Sequence, residues 1–175
     1  MDPPRRIRVI CHMKIVIISD IHDNIPNLEK CLQWCRDNTI DQLICCGDVA
    51  NSETIKYLSE GFKNNIHIIR GNADIYYEEE LEYYKNYTDH GRFGKFVLEG
   101  FNIGMCHEPE FFSQTEEMCT CNLVFYGHTH RPHIQKKGNT QYINPGTLGG
   151  NFFMATFAYW EIETGTFELK ILEQI

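Results

Sequence analysis

Five short apolar runs, each closed by a residue able to ligate a metal, constrain this chain more than any other feature. Ile15–Ile18 leads to Asp20 and His22, Leu43–Cys46 to Asp48, and Ile66–Ile69 to Asn72. Ile103–Cys106 leads to His107, and Leu123–Tyr126 to His128 and His130. Continuous apolar runs of this length suit strands covered on both faces. In open α/β sheets ligands bind beyond the carboxyl ends of the strands, where residues distant in sequence converge. Asp and Asn also follow strands as ordinary turn formers. Histidine has no such preference, and it stands at three of these strand ends.

Helices are predicted between the first strands. Pro26 suits a helix start, and Leu28, Cys31, Leu32 and Cys35 recur at helical spacing through about Asn38. Ser52 is positioned to cap a second helix through about Gly61, with Ile55, Leu58 and Phe62 on one face. This alternation predicts an α/β fold with parallel strands. Residues Ile75 to His90, crowded with Tyr and Glu, read as a solvated amphipathic segment packing its aromatic side, or else as a specificity lip or partner surface. Further on, hairpins are expected for Phe93–Glu99 with Phe101–Cys106 and for His133–Lys136 with Thr140–Ile143. A last hairpin joins Phe152–Glu161 to Phe167–Leu172, a helix is expected near Gln114–Cys119, and Asn144-Pro145-Gly146-Thr147 forms an ordered loop. Residues 1–12 read as a disposable extension, and 13–175 as one domain.

The whole chain sets bounds on function. With 175 residues a single core forms without staples. A net charge of −8 argues against nucleic-acid and anionic-membrane partners. No apolar run approaches the ~18 residues that span a bilayer, and the basic N-terminus lacks the apolar stretch of a secretory signal. Of the eight cysteines, Cys45, Cys46 and Cys106 sit in apolar runs, and Cys31 and Cys35 share a helix face. None forms a paired C-x-x-C site, so the thiols are expected to be reduced and the protein cytoplasmic, with Cys119 and Cys121 the nearest thing to a pair. Homo-oligomerisation is left open.

Seven candidate ligands, all N or O donors, exceed what one tetrahedral zinc needs. They suit two divalent first-row ions sharing a carboxylate. Manganese matches the donor set best; iron, nickel, cobalt or zinc are alternatives. Two such cations outweigh Asp20, Asp48 and a bridging hydroxide by about one positive charge. Empty, the site repels phosphate; loaded, it attracts it, which directs attention to phosphate-ester substrates of small-molecule size.

The order Asp20-x-His22, Gly47-Asp48, Gly71-Asn72, His107, Gly127-His128-x-His130 resembles the calcineurin-like metallophosphoesterase family. The short chain, Asp23-Asn24 and the Asn144–Thr147 loop are similar to its small bacterial and archaeal phosphodiesterase branch, over about Met13 to the C-terminus. The resemblance implies a four-layer α/β/β/α sandwich. It implies that Asp20, His22, Asp48 and His130 hold one ion, and Asp48, Asn72, His107 and His128 the other. It also implies phosphodiester hydrolysis by a metal-bridging hydroxide, with Asp48, Asn72 and His128 taking part in catalysis. Many relatives carry His after the Gly-Asn pair, where this chain has Ala73, a departure common in the small branch. Asn24 is a candidate phosphate contact or a turn residue, and Asp74 is expected to orient a histidine behind the metal ligands rather than to act on substrate. His12, His67, His90 and His133 are expected to be structural or surface residues. Two alternatives stand beside the diesterase: a phosphomonoesterase or protein phosphatase, and a non-catalytic scaffold like the retromer subunit that shares the fold.

Overall fold

The computed structural model describes residues 12–113 and 120–175. In chain order these form β1 (Lys14–Ile18), α1 (Ile25–Asp37), β2 (Gln42–Cys45), α2 (Ser52–Gly61), β3 (Ile66–Ile68) and β4 (Tyr87–Asp89). Then follow β5 (Phe93–Leu98), β6 (Phe101–Cys106), β7 (Leu123–Phe125), β8 (His133–Lys137), β9 (Thr140–Asn144), β10 (Thr156–Glu161) and β11 (Thr166–Ile171). One sheet has the order β11-β10-β1-β2-β3-β4, with β1 to β4 parallel and β10 antiparallel to β1. The other has the order β5-β6-β7-β9-β8, parallel only through β6, β7 and β9.

The strand alternation divides the core. Ile15 and Ile17 of β1 join Ile44, Met105, Phe125, Ile143 and Trp160 between the two sheets. Val16 and Ile18 point the other way, under Leu28, Leu32, Ile55 and Leu58 of the two helices. Both faces of the parallel strands are therefore dry, which is why their sequences read as unbroken apolar runs. The outer face of the second sheet carries a smaller cluster of Cys106, Cys121, Val124, Tyr126 and Tyr142, covered by Phe112 from a 3-10 turn over Pro109–Ser113. That turn alone represents the expected fourth layer among the described residues, because the helix expected near Gln114–Cys119 lies outside them.

Three local expectations need correction. The cap of α2 is Asn51, not Ser52: its amide oxygen accepts from the backbone N–H groups of Glu53 and Thr54, at 2.9 and 3.1 Å. The Tyr/Glu-rich segment packs Tyr76, Tyr84 and Tyr87 against the core, as expected, but also contains an unexpected strand. Tyr76 and Leu81 are buried, a 3-10 turn spans Glu78–Tyr83, and Tyr87–Asp89 pairs with β3 to extend the sheet. Its polar composition concealed this edge strand. The last hairpin begins at Thr156, since Phe152 to Met154 are exposed and stand outside the sheet. Cys31, Cys35, Cys45, Cys46 and Cys106 are free and buried, and Cys121 is buried as well. No helix among the described residues is long and apolar enough to cross a membrane.

Candidate metal centre

All seven predicted ligand positions lie beyond the carboxyl ends of β1, β2, β3, β6 and β7, on the seam where the two sheets meet. Their backbone is unusual. Asp20, His22, Asp48, His128 and His130 all adopt left-handed φ values, between 48° and 66°. For L-residues this conformation costs roughly 1–2 kcal/mol each. It curls each loop back so that the side chain faces the seam.

Cross-bracing holds these turns. The loops after β1 and β2 are zippered by bonds from Asp20 N to Gly47 O, Ile21 N and His22 N to Asp48 O, and Asp23 N to Val49 O. Asp23 also accepts from the Thr54 hydroxyl (2.6 Å) and Asn51 N. Gly127 is required by close approach: a Cβ there would collide with the Ser19 hydroxyl and crowd the Asp20 carboxylate. Likewise a Cβ on Gly71 would strike the Asp48 carboxylate.

The donor atoms converge on a small volume. Asp20, His22 and His130 have ligand atoms within 4.8 Å of one another, and so do Asp20, Asp48 and His107. His22 Nε2 and His130 Nε2 are 3.2 Å apart. Two nitrogens bound to one ion at about 2.1 Å are separated by roughly 3.0–3.4 Å, depending on the coordination angle. Asp48 Oδ2 lies 3.1 Å from His107 Nε2 and 3.8 Å from His22 Nε2, so this carboxylate stands between the two groups. Asn72 Oδ1 and His128 Nδ1 approach to 2.9 Å at the exposed rim, with the His128 and His107 rings edge to face.

Two tautomers can be read from their partners. His107 Nδ1 donates to the Cys46 carbonyl at 2.7 Å, and His130 Nδ1 to the Asn151 carbonyl at 3.2 Å. A carbonyl only accepts, so each Nδ1 carries a proton, and in the neutral imidazole Nε2 is the nitrogen left with a lone pair for a ligand. These lone pairs face carboxylate oxygens: His130 Nε2 is 3.2 Å from Asp20 Oδ1, and buried His107 Nε2 lacks a hydrogen-bond partner while facing Asp48. Lone pair against lone pair in a buried site calls for a positive charge between them. A divalent cation fits; in its absence a proton must serve.

The ionisation directions agree. Burial alone depresses His107, but the Asp48 carboxylate against Nε2 and the charges of Asp48 and Asp20 outweigh it and raise the imidazole to about 9. Burial raises Asp48, yet His107 beside it leaves that carboxyl below its ordinary range. Asp20, more deeply buried, is raised despite help from His107, Ser19 and His130.

Asp74 departs from expectation, and Asn24 takes the turn role of its two readings. Asp74 orients no histidine; its carboxylate accepts from the backbone N–H groups of Asp48 (3.1 Å), Ala50 (2.8 Å) and Gly71 (2.7 Å), pinning the β2 and β3 loops together. Asn24 caps α1, accepting from Asn27 N and donating to the Gly149 carbonyl at 2.8 Å, which commits both ends of its amide to the turn. Ala73, at the point of departure from the family pattern, contributes its N–H to Asp48 Oδ1 at 2.7 Å. Asn144, read from sequence as part of an ordered loop, takes a bracing role that its loop position did not reveal. Its buried amide donates to the Gly127 carbonyl (2.7 Å) and the Thr129 hydroxyl (3.0 Å) and so positions the His128–His130 loop. The Thr147 hydroxyl braces the Asp20 carbonyl in the same way. His67 is buried against Phe96 and His90, away from the centre, and His133 is exposed on β8.

Comparison with known proteins places the chain in a family. The calcineurin-like phosphoesterase superfamily domain matches residues 13–165. The chain belongs to that superfamily. It is 29% identical over 143 residues to Phosphodiesterase MJ0936 of Methanocaldococcus jannaschii, covering 79% of this chain and 86% of that protein. It is 26% identical over 156 residues to Phosphodiesterase YfcE of Escherichia coli, covering 79% and 83%. A solved archaeal phosphodiesterase superposes with a TM-score of 0.80 at 23% identity, covering 91% of this chain and 99% of the other. Vacuolar protein sorting-associated protein 29 of Schizosaccharomyces pombe is 24% identical over 149 residues, covering 79% and 73%.

Proposed function

We propose that the protein is a dinuclear metal-dependent phosphodiesterase acting on small-molecule phosphate esters. The observation that carries this reading is the convergence of His107 Nε2 on Asp48 Oδ2 (3.1 Å) and of His130 Nε2 on Asp20 Oδ1 (3.2 Å), ligand atoms aimed into one small volume. Asp20, His22, Asp48 and His130 would hold one ion, and Asp48, Asn72, His107 and His128 the other, with Asp48 shared. Divalent cations held by these residues would supply Lewis acidity, activating water and offsetting charge on the phosphate.

The chain's own groups prepare this chemistry. Asp20 and Asp48 supply the negative charge that draws cations in. The Cys46 and Asn151 carbonyls fix the His107 and His130 tautomers so that each offers Nε2. Asp74, Asn144 and Thr147 hold the loops without touching the reacting atoms. Asn72 and His128, at the exposed rim, lie where substrate arrives. The free, buried thiols support a reducing, cytoplasmic setting.

Manganese is the expected metal on the donor set. The test is to strip the protein with chelator, restore Mn, Fe, Co, Ni or Zn singly, and compare chromogenic diesters with monoesters. Diester hydrolysis restored by metal, and abolished by Asp48→Asn, is expected; full activity in Asp48→Asn would remove the shared carboxylate. Its likeness to vacuolar protein sorting-associated protein 29 motivates the scaffold alternative. Binding of two ions per chain with turnover argues against that reading, and failure to bind them favours it.

A further inference from the structure

Phe152 is the most exposed large apolar side chain among the described residues, at 94%. A single exposed phenylalanine is ordinary on a protein surface. This one is held in place. Its backbone is left-handed, with φ at 66°, a conformation a bulky L-residue adopts only against a steric penalty. The residue before it, Asn151, accepts the Nδ1 proton of His130. Gly150 N donates to the Thr147 hydroxyl, which in turn donates to the Asp20 carbonyl. On the far side, the Arg131 guanidinium lies 5.0 Å above the Phe153 ring. The loop is thus tied to two ligand positions of the centre, and the Phe152 ring sits 6.2 Å from the His130 imidazole, tilted by 35°. Half-exposed Met154 continues the apolar surface.

We infer that Phe152 determines substrate specificity by stacking on a planar aromatic ring carried by one ester group of the phosphate. This rests on the metal-dependent reading above, because it places the phosphate beside His130. An aromatic face displayed one imidazole away from the Nε2 atom meets an ester substituent leaving the centre on that side. Stacking against such a face tolerates any flat ring, whether an aryl ester or a nucleobase. A small alkyl ester gains nothing from it.

The experiment is calorimetric binding to the manganese-loaded protein with two matched pairs of probes. Phenylphosphonate is set against methylphosphonate, and adenosine 5′-monophosphate against ribose 5-phosphate. The ring-bearing member of at least one pair is expected to bind about tenfold tighter. That preference should vanish in Phe152→Ala and persist in Phe152→Trp, which keeps a stacking face. The responding pair tells an aryl ester from a nucleobase. Absence of any preference in the unmodified protein, or its survival in Phe152→Ala, overturns the inference. Hydrolysis of bis(p-nitrophenyl) phosphate by the unmodified protein is followed in parallel. Its failure counts against the diesterase, whereas the binding ratios judge Phe152.

Discussion

Asp74 shows how much a single side chain away from the reacting atoms can govern. Its carboxylate receives three backbone N–H groups, two from the loop that carries Asp48 and one from the loop that carries Asn72. Asp74→Asn replaces one acceptor oxygen with a donor and leaves a buried N–H facing another, at a cost of about 1–3 kcal/mol. A lower melting temperature together with weaker manganese binding is expected, measured by thermal unfolding and metal titration. His107 gives a prediction in pH. In the metal-free protein its folded pKa is raised from 6.5 to about 9. The imidazolium–Asp48 pair therefore stabilises fully below about pH 6.5 and fades as pH climbs through 9. Cation binding requires the deprotonated Nε2, so manganese affinity should rise over the same window. Thermal unfolding in chelator, beside metal titrations from pH 6 to 9.5, reads both slopes; parallel slopes would sink the assignment. The residues that cluster here were legible from their strand-end positions. The supporting contacts were not, because an Asp or Asn that braces a backbone looks the same in sequence as one that turns a loop.

Among the elements, the parallel strands and α1 were plain in the sequence because burial on both faces leaves apolar runs and a helical stripe. β4 escaped notice because Tyr87, Thr88 and Asp89 sit at a sheet edge, where only one neighbour demands pairing and side chains remain part-exposed. The α2 cap differed by one residue, a choice that Asn51 and Ser52 contest on equal chemical terms. The loop joining β7 to β8 holds both His128 and His130, and Asn144 at the end of β9 is what aligns it. Asn144→Ala frees the Gly127 carbonyl and the Thr129 hydroxyl together. Loss of such a brace around metal ligands typically costs about 10–100-fold in affinity. Manganese titration is expected to show that weakening while α1 and the parallel strands keep their helical and sheet signals by circular dichroism.

At the scale of the whole molecule, we propose that residues 13–175 form one domain for which residues 1–12 are dispensable. The family match starts at Met13, β1 starts at Lys14, and Met13 O already accepts from Ile162 N. His12 pairs with Glu163 at the surface, outside the centre. A protein beginning at Met13 is expected to retain full metal-dependent hydrolysis, and a severalfold loss would assign the preceding residues a part in the fold. The two sheets contribute unequally to the centre: Asp20, His22, Asp48 and Asn72 come from one, His107, His128 and His130 from the other. Any cation seated there is consequently a rivet through both halves of the protein. Sliding one half against the other would tear its coordination sphere, so metal occupancy and mechanical stiffness of the scaffold rise and fall as one property.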